Sequence, residues 1–363
     1  VAKTLTNVSS EKIDLPTSSK EVAAAICAAK DNGKITTSRS PSTTLSSAAS
    51  SATRLDLRQM CSVVDYPARD MTITVEAGMP IGRLRDILAA EQQQLPIDCH
   101  DPQLTIGAMV AGNTAGPRQY GYGTLRDYLI GIEAVDGQGR IFHAGGRVVK
   151  NVAGYDLCRL MIGTRGALGV LTQLTFKVKP IPEQQQGLLL SFSDETSFDQ
   201  SLDRLNLSAA TPVVMDFTCT ADQRSLWLGV EGSVETCDWQ IQQLQSECSH
   251  AKPSRQDSVA DYANAAELQA DKEWRIRCLP SKLTPITSGL LGLNMNSRGY
   301  AGSGVLFVDT DNHSDDQLSA CRKLLTQFDA QILDWHNDHP GRAADPLSVR
   351  LRQAFDPHSL FLS

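Results

Sequence analysis

The sequence predicts an α+β protein in two parts, a glycine-dense amino-terminal half and a second domain in which strands and helices interleave. Three observations carry this. Glycine concentrates between residues 105 and 180, strand-like and helical patterns alternate on either side of it, and Pro180-Ile181-Pro182 breaks the chain where composition becomes ordinary. With 363 residues, 41% hydrophobic and 21% charged, the chain can bury a sizeable core in two or more domains. No repeat of fixed period is visible.

In chain order, Val22, Ala25, Ile26 and Ala29 recur at helical spacing over Ser18–Asn32, and Gly33 follows where a helix end favours a left-handed residue. Lys34–Thr37 reads as a short strand. Ser38–Thr53 is a Ser/Thr/Ala tract that composition assigns to a loop. Thr72–Ala77 alternates polar with apolar and is rich in β-branched residues, which predicts a strand ended by Gly78. Ile81, Leu84, Ile87 and Leu88 predict a helix over Ile81–Gln93, and Pro96 bars its continuation. Tyr128–Val135 and Arg140–Ala144 read as a hairpin around Asp136-Gly137-Gln138-Gly139, and Leu168–Val178 as a further strand. Beyond Pro182, strands at Gly187–Phe192, Val213–Thr218, Ser225–Gly232 and Gly304–Val308 mix with helices at Ser197–Leu207, Cys237–Cys248 and Asp315–Phe328. An antiparallel sheet with helices is the natural packing.

Composition excludes several classes of function. Thirty-four Lys+Arg against 41 Asp+Glu give a net charge of −7, which opposes binding to nucleic acid or an anionic membrane. The longest uncharged stretches, such as Pro102–Pro117, are too short and too often broken by Gly, Asn, Gln and Pro to cross a bilayer. The amino-terminal VAKTLTNVSSEKID lacks the apolar core of a secretory signal, so a cytoplasmic protein is expected. Nine cysteines include no CxxC pair, and their odd number argues against a disulfide framework. Scattered reduced thiols, with no zinc ribbon and no iron–sulfur ligand run, are the reading.

The chemistry is concentrated in TIGAMVAGNTAG (Thr105–Gly116), the turn Tyr122-Gly123-Thr124-Leu125-Arg126-Asp127, and KNVAGYDLCRLMIGTRGALGVLT (Lys150–Thr172). Gly and Ala runs let main-chain N–H groups approach a bulky anionic ligand, so a phosphate-bearing cofactor is implied. The spacing matches neither GxGxxG after a strand nor GxxxxGK[ST]. Together with DMTITVEAG (Asp70–Gly78), these segments resemble the FAD-binding domain of the vanillyl-alcohol oxidase and p-cresol methylhydroxylase type over Val22–Pro180, with a weaker echo at Leu351–Phe361. Within that family the likeness is to the FAD-binding subunits of glycolate oxidases.

That resemblance implies two FAD-binding subdomains, about 1–60 and 61–180, an α+β cap domain over 181–340, and a return of 341–363 to the FAD domain. It implies that Ile106, Gly107, Gly112, Thr114, Ala115 and Gly116 line the flavin and pyrophosphate, and that Gly123 and Asp127 shape the same pocket. Gly169, Val170 and Leu171 would meet the adenine end, with Gly163 and Gly166 permitting the approach. The first pyrophosphate loop of the family, Gly-Gly-Gly-Thr-x-Leu, corresponds to Ser40-Pro41-Ser42-Thr43-Thr44-Leu45. All three glycines are replaced, and Pro41 has no N–H to donate. Hydroxyls of Ser40, Ser42 and Thr43 with Arg39 could stand in for the lost donors, or the tract could be a solvated linker. The carboxyl-terminal segment likewise lacks the family's Asn-Pro-Gly-Arg ending. No histidine lies in Arg39–Ser51, so FAD is expected to be non-covalent.

The implied activity is oxidation of a small α-hydroxy acid, glycolate to glyoxylate, with a catalytic flavin subunit and an iron–sulfur subunit as partners and any membrane association made through them. Two rivals are an autonomous FAD-dependent α-hydroxy-acid dehydrogenase and a cofactor-poor structural subunit. No catalytic residue is assignable from the sequence. His336 and His339 read as a surface turn rather than a metal site, Cys99-His100 as a loop rather than a thiol–imidazole pair, and Tyr155 and Trp274 as core. Arg147 and Lys150 read as solvent-facing or near a phosphate.

Overall fold

A computed structural model describes residues 13–30, 33–37, 52–146, 155–256, 258–259, 262, 273–310, 313–333 and 346–362. The chain divides into two compact units. Unit 1 comprises residues 1–114, 124–181 and 343–363, and unit 2 comprises 115–123 and 182–342. The division falls after residues 181 and 342, and nine residues of the glycine-rich block, 115–123, group with the second unit.

Unit 1 holds two main sheets. β1 (Ile13–Asp14), β2 (Ile35–Thr37) and β3 (Thr53–Leu55) form a parallel sheet in the order β1-β3-β2. It is covered by α1 (Ser19–Ala29), capped by the Ser18 hydroxyl on the Glu21 N–H and stopped as Gly33 donates to the Ala29 carbonyl. The predicted stripe lands where helical period puts it: Val22, Ile26 and Ala29 pack with Ile35, Leu55, Val135, Val170 and Leu360.

β4 (Val63–Asp65), β5 (Thr72–Glu76), β7 (Leu129–Val135), β8 (Ile141–Gly145) and β9 (Val170–Lys177) form an antiparallel sheet in the order β4-β5-β9-β7-β8. A small ribbon pairs β6 (Gln93–Gln94) with β10 (Lys179–Pro180). The β7–β8 turn is held by Asp136, whose carboxylate accepts from the N–H groups of Gln138 and Arg140 at 2.9 and 3.0 Å and from Arg140 Nε at 2.7 Å. α2 (Ile81–Ala90) buries Ile81, Leu84 and Leu88.

Unit 2 is built on one eight-stranded antiparallel sheet, order β14-β11-β13-β12-β16-β17-β15-β18. Its strands are β11 (Gln184–Phe192), β12 (Val214–Cys219), β13 (Arg224–Gly232), β14 (Lys252–Gln256), β15 (Glu273–Arg277), β16 (Ser297–Tyr300), β17 (Val305–Asp309) and β18 (Gln331–Ile332). Alternation sorts its residues by face. Leu188, Leu190, Met215, Phe217, Leu226, Leu228, Val230, Ile276, Leu306 and Val308 face the helices Glu195–Leu205, Val234–Glu247, Leu283–Gly292 and Asp315–Gln327 in one apolar core. Trp274 packs against that core beneath the Arg322 guanidinium, 4.3 Å from the ring centroid.

Candidate functional site

The glycine-rich block of unit 1 begins as a short helix that the sequence pattern does not reveal, α3 (Ile106–Gly112). The Thr105 hydroxyl caps it by accepting from the Ala108 N–H at 3.2 Å. Its first turn is fastened to the end of β5, since Ile106 and Gly107 donate to the carbonyls of Met79 and Ala77 at 2.8 and 2.7 Å. Asn113 ends it in the left-handed region at φ 52°. The loop after the helix Leu157–Met161 is bonded to this end: Gly163 and Arg165 donate to the carbonyls of Val110 and Ala111 at 3.1 and 2.9 Å. Gly163, Arg165, Gly166 and Gly169 all have positive φ, at 79°, 51°, 82° and 155°. Positive φ at these positions lets the loop fold tightly against the end of α3, with the Gly163 and Arg165 N–H groups bonded to its carbonyls.

Steric accounting separates the glycines. A Cβ on Gly107 would lie 3.0 Å from both the Cβ and the carbonyl oxygen of Ala77, and one on Gly169 would lie 2.7 Å from the Val135 carbonyl oxygen. Packing within unit 1 therefore requires both. A Cβ on Gly112 would meet only Thr114 Oγ1, at 3.8 Å, and one on Gly163 only Asn113 Cβ, at 3.4 Å. A Cβ on Gly166 would lie 3.4 Å from Thr37 Oγ1, and one on Gly146, at φ 152°, would meet nothing within 4 Å. Gly112, Thr114, Gly163 and Gly166 are thus gathered around a side-chain-free strip at the end of α3. Thr37 and Asn113 join it without having been foreseen, and of the two only Asn113, beside Gly112, had a signal in the chain neighbourhood of the glycines.

Other predicted positions have internal roles. Ile106 is buried, and Val170 is in the α1 core while Leu171 pairs with Ala134 in the sheet. Asp127 is exposed, and its carboxylate accepts from the Thr124 N–H and hydroxyl at 2.8 and 3.2 Å, capping the helix Leu125–Tyr128. Ala115, Gly116 and Gly123 fall in unit 2. There Gly121 donates to the Val213 carbonyl at 3.2 Å, Tyr120 joins the helix-covered core, and Glu231 accepts from the Tyr122 hydroxyl and pairs with Arg118 at 3.5 Å. Gly123, at φ 87°, closes the helix Gln119–Tyr122. Ser40, Ser42 and Thr43, together with Arg147, Lys150, His336 and His339, lie outside the described residues.

One expectation is corrected: Tyr155 is 95% exposed, not core. Cys99 is buried with its thiol on the Asp101 carbonyl, whereas the neighbouring His100 is exposed. Among the described residues no group of three or more His, Cys, Asp or Glu side chains could hold a metal, and no helix is long and apolar enough to cross a membrane.

Unit 2 carries a second feature that the sequence conceals. The sheet face opposite the apolar core presents Trp227, Asp216 and Tyr300 in register across β13, β12 and β16, with Thr218, Arg298 and Phe307 as the adjoining row. Asp216 is only 4% exposed and accepts from the Tyr262 hydroxyl at 3.0 Å. The Tyr262 ring stacks on Trp227 at 3.7 Å. Burial, then the nearby Asp216 carboxylate, pushes the Tyr262 phenol well above the usual tyrosine range. Arg298 is gripped by Glu273 through Nη2 and Nε, with Nη2 2.9 and 3.0 Å from the two carboxylate oxygens. Asp216, Thr218, Tyr262, Arg298, Tyr300 and Phe307 line a pocket of about 200 Å³.

Comparison with known proteins adds the cofactor's identity. The family described as an FAD binding domain matches residues 11–145. The chain is 36% identical to glycolate oxidase subunit GlcE of Escherichia coli (strain K12), over 49% of this chain and 50% of that protein. It is 33% identical to glycolate oxidase subunit GlcD of Bacillus subtilis (strain 168), over 44% of this chain and 34% of that protein. It is 30% identical to a D-lactate dehydrogenase of Anaerostipes hadrus, over 55% and 43%. The matches span half or less of the length of these relatives. A solved alkyldihydroxyacetonephosphate synthase superposes with a TM-score of 0.73 at 15% identity, over 96% of this chain and 75% of the other, and so shares the fold. Residues 11–145 are thus similar to an FAD binding domain, and the backbone of Gly112, Gly163 and Gly166, open where a Cβ would stand, suits a flat ligand laid against it.

Proposed function

We propose that the chain is the FAD-binding subunit of a complex that oxidises a small 2-hydroxy acid, glycolate to glyoxylate, and passes the electrons to an iron–sulfur partner. FAD supplies the acceptor for the electron pair leaving the substrate carbon. The chain's own part is to hold the flavin without a covalent bond, on the backbone around Gly112, Gly163 and Gly166. The observation that carries this reading is the open side of Gly112: neither its φ nor its neighbours require glycine there, whereas a ligand laid against the helix end does. The relatives whose names specify glycolate oxidase subunits support the substrate and the shared labour between subunits. The iron–sulfur partner rests on the resemblance alone.

A second reading, an autonomous 2-hydroxy-acid dehydrogenase, is favoured by one observation, the Asp216, Tyr262 and Arg298 pocket of unit 2. Acid precipitation of the purified chain should leave all the yellow colour in the supernatant, and anaerobic glycolate should bleach the flavin only when the partner subunits are present. A chain that stays colourless after reconstitution with FAD ends the flavoprotein reading. Bleaching by glycolate in the chain alone replaces the subunit reading with the autonomous one.

A further inference from the structure

Around the open strip of unit 1 stand three side chains whose polar atoms the fold does not use: Thr37, Asn113 and Thr114. Thr37 Oγ1 is 3.4 Å from where a Cβ on Gly166 would lie, Thr114 Oγ1 is 3.8 Å from that of Gly112, and Asn113 Cβ is 3.4 Å from that of Gly163. None of the three side chains has a hydrogen-bond partner among the described residues. The main chain beside them is already engaged. The carbonyls of Met109, Val110 and Ala111 at the end of α3 accept from the N–H groups of Thr114, Gly163 and Arg165 at 3.0, 3.1 and 2.9 Å. Two hydroxyls and an amide, each able to donate, are left for a ligand.

Thr37 has a place in the fold that the other two lack. It is the last residue of β2, so it stands half-buried at the carboxyl end of a strand in a parallel sheet, the side on which such sheets take ligands. Three residues further on begins Ser40-Pro41-Ser42-Thr43, in which the glycines of a pyrophosphate loop are replaced. Pro41 offers no N–H, and the missing glycines remove the positive-φ turns that aim main-chain donors at a phosphate. A hydroxyl at the root of that tract is a donor where the loop has lost its own. Gly166 opposite keeps the space clear, since a Cβ there would touch the Thr37 hydroxyl.

We infer that Thr37 binds the cofactor, its hydroxyl donating to a phosphate oxygen of FAD in place of a main-chain donor of the loop that follows. The inference rests on the flavoprotein reading. It departs from the family resemblance, which assigns phosphate contact to residues 40–43 and does not include Thr37.

The test is FAD titration of the full chain as apoprotein by flavin fluorescence, with phosphorus NMR of the reconstituted protein. Thr37→Val keeps the shape of the side chain and removes the hydroxyl, and it should weaken FAD about tenfold or more, the loss expected of one hydrogen bond to a charged group. Thr37→Ser keeps the hydroxyl and should stay within about threefold of wild type. In the valine variant a pyrophosphate resonance of bound FAD should move while the flavin absorption bands stay in place. Loss of affinity with both phosphorus resonances unmoved overturns the assignment. Unchanged affinity in the valine variant, or equal loss in the serine and valine variants, overturns it as well, because the hydroxyl then contributes nothing. Circular dichroism checks the fold of each variant, and Thr37→Ala takes over the comparison if the valine variant does not fold. A wild-type chain that takes up no FAD sinks the flavoprotein reading and this inference with it, whereas a yellow chain indifferent to the Thr37 substitutions sinks this inference alone.

Discussion

Gly107 and Gly112 sit at opposite ends of the same short helix, and the packing around them assigns opposite reasons for their being glycine. At Gly107 a methyl group meets the Ala77 main chain at 3.0 Å, against the very carbonyl that its N–H binds. At Gly112 a methyl group meets nothing closer than 3.8 Å, and the helical backbone would gain from alanine. Gly107→Ala should therefore cost about 1–3 kcal/mol in chemical denaturation. Gly112→Ala should leave the apoprotein as stable as wild type, or up to about 1 kcal/mol more stable, while weakening FAD in a fluorescence titration. Equal FAD affinity in the Gly112 variant would mean that the open side of α3 is not where the cofactor lies.

At the scale of elements, the carboxyl-terminal segment shows how little chain is needed to complete a sheet. Ile35 donates to the Leu360 carbonyl at 2.8 Å and Leu362 to the Ile35 carbonyl at 2.9 Å, so the tail pairs in parallel with β2 beside α1. Asp356 turns the chain into that position, its carboxylate accepting from the N–H groups of Leu360 and Phe361 at 2.8 and 2.9 Å. Gly137 makes room for it, for a Cβ there would lie 2.6 Å from Asp356 Oδ1, and its N–H binds the Phe355 carbonyl at 2.8 Å. Asp356→Ala leaves one buried and one part-buried donor unpaired and should lower stability by about 1–3 kcal/mol, read as a shifted urea midpoint with little change in slope. A variant as stable as wild type would show that the tail does not support unit 1. None of this was visible in DPHSLFLS, where the departure from the family ending was clear and the role of the aspartate was not.

For the molecule as a whole, seven of the nine thiols are buried, while Cys27 is exposed and Cys61 intermediate. Burial pushes Cys158, Cys219, Cys278 and Cys321 from the usual 9.0 up to about 11. Alkylation of the native protein at pH 8 should be fast at Cys27 and Cys61 and should reach the other seven only on unfolding, which peptide mass spectrometry would read. The folded state holds these thiols neutral, so below pH 9 both states are protonated and the stabilisation is intact. As pH rises from 9 to 11 the unfolded thiols ionise first, and each raised group costs on the order of 2 kcal/mol. Thermal midpoints should therefore fall steeply over that interval. A flat profile would refute the buried-thiol account.

Elements whose signal is local are legible from the residues alone. Val22, Ile26 and Ala29 marked α1, Thr72–Glu76 marked β5 by alternation, and the Asp136–Gly139 turn marked the β7–β8 hairpin, because helical period, pleat and turn chemistry are written over a few neighbouring residues. The sequence also marked the glycine-rich block as a place of close backbone approach. The fold alone separates the glycines that packing requires from those with an open side, since Gly107 and Gly112 differ only in what lies across from them. It likewise placed residues 115–123 in unit 2, through Glu231 on Arg118 and Tyr122, and set Asp216 beside Tyr262 and Arg298 diagonal to it. Those partners are separated by tens of residues along the chain, and long-range pairing depends on strand register and burial that no local pattern encodes.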